Sequence, residues 1–481
     1  MRNLFLLFMT IFSVQVLAQS AEEAVELLQD QQGFGIRAAA MGNAYNAVAD
    51  DYSAIYWNPA GLAQIRQGEL YTSLYNLSFN TDASSLGTKT EGSQSFTRFQ
   101  SLGFVYPFAV ERGSLVLAFG YQKIKDFDAY SEFGGILYGS NDLSFGIEND
   151  LGDYGTLYFD RDLKQKMTIT SDGNLSQWAV AMAIDLSPRF SAGATVSIIS
   201  GKNEYNNAYV QTDPNHQNSY DIFDENDQKI EEFYYKKYTL KQNLASEFSG
   251  FEAKVGGLFR LNENIRLAGT ITLPMTLHVD ESWDMSDELL YDIKVLRENM
   301  IYQYEDRLEL DEGVFDYNIN VPFKFGVGAS YRNDWFLISA SGDYRDWTQM
   351  KYAVPDDRNS ADYSYLLDEN KYFRKNFRPV FSYAFGGEFR LLNGLISLRG
   401  GYRYVPTPLK NMDAKMNKKY FNAGIGLRAD ENTVVELSYS IASWQAKKYY
   451  DYGYGNWYPE TINTSEKYKS NKLQLGIKVN F

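Results

Sequence analysis

The stretch Gly33 to Ala63, GFGIRAAAMGNAYNAVADDYSAIYWNPAGLA, decides how this chain is read. It opens on small residues: Ala38, Ala39, Ala40, Gly42, Ala44, Ala47 and Ala49. It turns at Asp50-Asp51 and ends in Asn58-Pro59-Ala60-Gly61. Small side chains let a backbone lie very close to its surroundings. A segment this lean cannot fill a core of its own, so it must pack inside something larger. The container has to come from the rest of the chain.

The two ends describe a secreted chain. Residues 1–18 read as a signal peptide: Arg2 gives the positive start, Leu4 to Val14 is apolar but too short to span comfortably, and Val16-Leu17-Ala18 offers small residues for cleavage. At the other end, Leu473, Leu475, Ile477, Val479 and Phe481 alternate with Lys472, Gln474, Gly476, Lys478 and Asn480. That period of two is a strand with one apolar and one polar face. A terminal strand ending in Phe481 resembles the signal by which bacterial barrel-assembly machinery recognises its substrates, so that machinery is an expected partner.

Composition narrows the class. The 481 residues contain 38 Tyr, 31 Phe and 7 Trp, an excess that aromatic girdles at two membrane interfaces would use. No helix-length apolar run follows residue 18, which excludes a helical membrane protein but not a barrel, whose strands are half polar. With no cysteine there is no disulfide framework. The formal charge of −15 argues against nucleic acid as a partner.

Alternating segments of roughly ten residues follow, as expected of membrane-crossing strands. They lie near 68–80, 97–108, 113–125, 174–185, 189–203, 246–260, 264–280, 321–332, 335–347, 381–391, 394–404, 418–429, 433–445 and 470–481, about fourteen in all. Tight connections, such as Asn333-Asp334 and Asn393-Gly394, alternate with long ones at 81–96, 126–173, 204–245, 281–320, 348–380, 405–417 and 446–469. Short periplasmic turns and long extracellular loops are the expected pattern of an outer-membrane barrel. Lys324, Arg332, Asp343, Arg345, Glu388, Arg390, Arg399 and Arg403 fall on the polar faces and must point into the lumen, because a charge facing lipid costs about 2–4 kcal/mol at the midplane.

Gly33 to Ala63, with its Asp50-Asp51 pair and its Asn58-Pro59-Ala60-Gly61 ending, resembles the start of the mature chain in the FadL/OmpP1/TodX family of outer-membrane transporters for hydrophobic compounds. The resemblance implies an all-β, transmembrane antiparallel β-barrel of about 14 strands with an N-terminal plug, or hatch, inside the lumen. It divides the chain into a signal peptide at 1–18, a plug at 19–66 and a barrel at 67–481. It implies passive uptake of hydrophobic small molecules such as long-chain fatty acids at the bacterial outer membrane, among outer-membrane lipid, with no cofactor. Asp50, Asp51, Asn58, Pro59, Ala60 and Gly61 become the plug and gating residues. A kink in the third strand is part of the family pattern, and Gly120 is the one bulge cue that 113–125 offers. Asn43 stands where many relatives carry a second glycine, and Gln19 to Gln32 adds a short acidic helix before the first glycine. The alternative reading is a FadL-like barrel acting in secretion machinery, holding exported proteins at the cell surface. A general diffusion porin is the third, and the plug speaks against it.

Within 281–320, Leu289, Ile293, Leu296 and Met300 recur at helical spacing. The expectation is an amphipathic helix, capped by Asp284 or Ser286, whose apolar side covers a hydrophobic ligand groove. Other motifs carry little. Gly33-Phe34-Gly35-Ile36-Arg37-Ala38 lacks the preceding strand that a dinucleotide fingerprint requires. Asp224 to Gln228 lacks the glycine and final Glu of a calcium loop. His216 and His278 are too few to build a histidine metal site, and no catalytic constellation is present, so the expectation is no enzyme and no metal.

Overall fold

A computed structural model describes residues 20–29, 31, 33–138, 144–148, 154–158, 162–213, 219–223, 229–295, 300–451 and 461–481. The signal peptide, His216, the run Asp224 to Gln228 and Leu296 lie outside the described residues.

The strands close on themselves. The wall runs in order through Glu69–Ser85, Thr88–Phe108, Leu115–Asp126, Leu163–Ser187, Phe190–Thr212, Lys229–Arg260, Ile265–Thr272, Lys324–Arg332, Phe336–Asp346, Pro379–Leu391, Ile396–Val405, Lys418–Arg428, Thr433–Asp451 and Thr461–Asn480. Each pairs antiparallel with the next, and the last returns to the first from Glu69↔Asn480 to Ser84↔Ser465, giving a closed 14-strand barrel. Closure leaves no edge, which a strand protein in lipid requires.

The face assignment follows the alternation. Leu70, Leu74, Phe104, Phe119, Trp178, Ile198, Phe251, Val327, Phe385, Leu398 and Leu475 are exposed on the outside. Tyr71, Gln122, Ala179, Ala181, Glu388, Arg403 and Gln474 are buried on the inside. Phe481 exchanges backbone hydrogen bonds with Gly68 and stacks on Phe104 at 5.7 Å, which seals the seam at its short-turn end.

Much of what the sequence suggests as loop is ladder. The hairpin Met275–Val295 and Met300–Val321 continues the wall upward, paired to Lys229–Arg260 on one side. Pro274 and Pro322 interrupt it at one level: Thr272 pairs with Lys324 below the break, and Met275 with Val321 above. Proline has no N–H to give the ladder, so both strands break there together. The segments 81–85, 88–96 and 204–212 are likewise strand, and Lys229–Arg260 runs for 32 residues. Polar and aromatic residues alternate as well above lipid as apolar ones do within it, so paired hairpins extend past the membrane.

The helix expected within 281–320 is therefore not formed. Leu289 and Ile293 lie on one strand, Met300 begins the next, and Asp284 and Ser286 are strand residues rather than caps. The helical spacing of the apolar residues competes with a period-two pattern, and a long partner ladder stabilises the strand. A helix appears instead at Ser364–Asn376, inside what reads as the polar loop 348–380. Gly120 is not a bulge. Tyr52 packs where its Cβ would be, and the third strand's register slips later, between Lys123 and Lys125.

Leu475 lies between exposed Leu74 and Leu437 in the apolar band. Leu475→Arg is expected to cost about 2–4 kcal/mol, read from the urea midpoint of folding into lipid vesicles; an unchanged midpoint would contradict the assignment of this face to lipid.

Candidate functional site

The small-residue segment lies across the lumen. It forms short helices at Ile36–Ala40 and Ala54–Trp57 and a 3-10 turn at Pro59–Gln64. Phe34, Ile36, Tyr45, Val48, Tyr52, Ile55 and Leu62 share one buried cluster with the wall residues Tyr71, Val105, Val116, Ala181 and Leu337. The approach is close enough to explain the composition. A Cβ on Gly42 would fall 2.6 Å from the Tyr402 backbone nitrogen, and one on Gly61 would fall 2.0 Å from the Ala49 carbonyl oxygen. Asn43 adopts φ 67°, the left-handed region that favours glycine and that asparagine tolerates.

One guanidinium organises the charges. Arg37 donates from Nε and Nη2 to the two Glu388 oxygens, at 2.7 and 3.1 Å, and from Nη1 to Asp50 at 2.5 Å. Glu388 also accepts from Arg390 and Arg399, and Arg399 pairs with Glu436 at 2.7 Å. Burial alone would lower the Arg37 pKa, but Asp50 and Glu388 outweigh it and hold the group well above its ordinary value. Burial opposes ionisation of Asp50 too, yet Arg37 and Arg266 hold its carboxyl below the usual range.

The expected gating residues separate into different roles. Asp50 reaches the wall at Arg332, 3.8 Å away. Asp51 stays within the segment, accepting from the Tyr45 hydroxyl and from Ser53. Asn58 donates to the carbonyls of Asn46, at 2.9 Å, and of wall residue Gly257, at 3.2 Å, and accepts from the Ala60 N–H. Pro59 lies where a Cβ on wall residue Gly193 would be, and Ala60 and Gly61 are fully enclosed by the turn and the wall. Arg37 is the residue that sequence reasoning passed over. Its signal was present: it is the one charge between Gly33 and Ala49.

Above this segment the lumen becomes apolar. The helix Ala21–Leu28 packs Ala21, Ala24, Val25 and Leu28 against Leu277, Val279, Tyr317, Trp347, Tyr352 and Phe373. Its start is clasped from above: the Ala21 N–H donates to Glu369 of the helix Ser364–Asn376, and Tyr372 donates to Glu22. Its end has no cation of its own. The wall supplies them: Lys125 donates to the Glu26 and Gln29 carbonyls, Arg345 to Leu28 and Arg403 to Gln31. Cations at exposed terminal carbonyls oppose the helix dipole favourably.

Between this helix and Tyr56 of the inner segment is a small cavity of about 70 Å³. Leu27, Leu28, Ile124, Leu175, Ile199, Met275 and Leu277 give it an apolar wall. Lys125, Lys254, Lys324 and Arg345 line it as well, with Glu252 and Gln177. Leu289, Ile293 and Met300 belong to the strands of the extended hairpin, and Leu289 does not line this cavity.

No protein-family model matches the chain, and no curated protein does. Solved structures share its fold. A FadL homologue of Pseudomonas aeruginosa superposes with TM-score 0.56 at 12% identity, over 94% of this chain and 99% of that one. The toluene transporter TodX of Pseudomonas putida gives 0.54 at 11%, and the toluene transporter TbuX of Ralstonia pickettii 0.51 at 14%, with the same shares covered.

Two substitutions test the lock. Arg37→Ala strips Asp50 and Glu388 of their shared partner and is expected to loosen the segment by about 3–5 kcal/mol, seen as raised conductance in planar bilayers. Asn58→Ala removes the donor to the Asn46 and Gly257 carbonyls and the acceptor of the buried Ala60 N–H, and is expected to cost about 1–3 kcal/mol, with a smaller rise in conductance. Conductance equal to that of the parent in both would separate the segment from gating.

Proposed function

We propose that this chain is an outer-membrane channel for the passive uptake of hydrophobic small molecules, with the segment Gly33 to Arg66 as its plug. The observation that carries the reading is the sequence of environments along the lumen. An apolar cluster around the helix Ala21–Leu28, covered by Ser364–Asn376, is followed by a small cavity lined by apolar and cationic residues, and then by the small-residue segment. An aqueous pore offers an apolar molecule little, whereas apolar patches in series bind it weakly enough for release. The barrel fold shared with a FadL homologue and two toluene transporters supports the same reading.

The cavity favours an amphipathic carboxylate, such as a long-chain fatty acid, over an unsubstituted hydrocarbon. Its lining combines apolar residues with the cations Lys254, Lys324 and Arg345. The buried Arg345 Nε meets no acceptor among the described residues, although its Nη1 is engaged with Leu28. A carboxylate in the cavity would be attracted by the positive charge of this guanidinium and of Lys324.

The test is uptake of radiolabelled oleate and of toluene by cells making the parent chain or Arg345→Leu. The expected result is oleate uptake falling several-fold in the variant while toluene uptake holds. Equal oleate uptake with and without the gene would overturn the fatty-acid reading, and equal uptake of both compounds would overturn the channel.

A further inference from the structure

On the outside of the barrel, four lysines share one corner. Along Thr461–Asn480, exposed Lys467 and Lys469 fall on the same side as Leu473, Leu475 and Ile477, while Glu466, Tyr468 and Lys472 face inward. Exposed Lys419 shares its side with Phe421 and Leu427, and exposed Lys447 shares its side with Leu437 and Tyr439.

The register brings them together. Tyr383, Tyr404, Lys419, Ser443, Lys469 and Asn80 form one continuous cross-strand row. The row beneath it is Phe385, Tyr402, Phe421, Ile441 and Asn471. Lys467 lies opposite Gln445, one step higher, and Lys447 opposite Ser465, higher again. With strands 4.7–4.9 Å apart, the backbones of Lys419 and Lys469 are separated by about 10 Å. The lysines therefore stand on the upper edge of the apolar band, beside its tyrosines, at the level where aromatic girdles meet lipid headgroups.

Among the described residues none of the four makes an ion pair. The acids nearest on this face are Asp82, opposite Lys467, and Glu91, opposite Asp82. On the far wall the signs are mixed: exposed Glu247, Asp280 and Asp284 stand above the apolar band with exposed Lys202 and Lys241. In a chain of net charge −15, four exposed lysines gathered at one corner, with no acid between Lys419 and Lys469 along their row, are a specific feature. Lysines at this depth attract anionic headgroups within a Debye length.

We propose that Lys419, Lys447, Lys467 and Lys469 form a docking site for the phosphorylated headgroup of an outer-leaflet glycolipid, whose acyl chains lie on Phe421, Tyr439 and Leu473 below. The site rests on the outer-membrane reading but not on the transported substrate. The experiment is native mass spectrometry of the full chain released from neutral-lipid nanodiscs, with a bis-phosphorylated acylated disaccharide or its dephosphorylated form added. The parent chain is expected to retain the phosphorylated lipid at least tenfold better. The quadruple variant Lys419→Gln, Lys447→Gln, Lys467→Gln, Lys469→Gln is expected to lose that preference, and Lys202→Gln with Lys241→Gln to keep it. Retention indifferent to phosphate or to the four lysines overturns the site. So does full displacement by equimolar inorganic phosphate, which would make free anion the ligand. A chain that enters no bilayer overturns the outer-membrane reading along with the site, whereas one that inserts but ignores phosphate overturns the site alone.

Discussion

Backbone pairing governs this molecule. Lipid offers no hydrogen bonds, so every N–H and C=O within it must find a partner in the chain. Fourteen antiparallel strands meet that demand by closing, with Glu69–Ser85 paired to Thr461–Asn480. Closure fixes the rest. It sends alternate side chains into a lumen, and a lumen of this size cannot be filled by wall residues alone. The small-residue segment occupies that space, and its leanness follows from how closely the surrounding backbones approach.

The polar faces solve a second problem. Charges cannot face lipid, so Glu388, Arg390, Arg399 and Glu436 point inward and need partners there. Arg37 joins them from the inner segment, and Asp50 answers it. The same network that satisfies the wall thus fastens the segment. Hydrogen bonds from Asn58, Lys254 and Thr195 add ties elsewhere around the lumen. The upper half of the barrel is built on the opposite principle. Apolar contact holds the helix Ala21–Leu28, and charge enters mainly at its two ends, through Glu369 above and Lys125, Arg345 and Arg403 below.

The fold was legible because period-two alternation is a local signal. Residues such as Leu473, Leu475 and Ile477 declare their face without knowing their partner. The lumen charges were legible for the same reason. The long hairpins beyond the apolar band were not. Leu289 and Ile293 fit a helix by spacing, and only pairing with Lys229–Arg260 makes that stretch a strand. Gly120 looked like a bulge until Tyr52 was found packed against it. The helix Ser364–Asn376 was missed because its polar sequence has few apolar positions, and Leu366 and Phe373 gain meaning only from the lumen they cover.

By itself, then, the sequence determined the strand count, the inward and outward faces, and a lean segment that had to live inside them. Those properties depend on neighbours two residues away or on composition. The tertiary structure alone decided which charges meet, since Arg37 and Glu388 are 351 residues apart in the chain. It decided that Asp51 serves its own turn while Asp50 and Asn58 reach the wall. It also decided the corner of lysines, because a row across strands exists only once the register is set. Contacts between distant residues depend on how the ladder closes, and no local pattern encodes that closure.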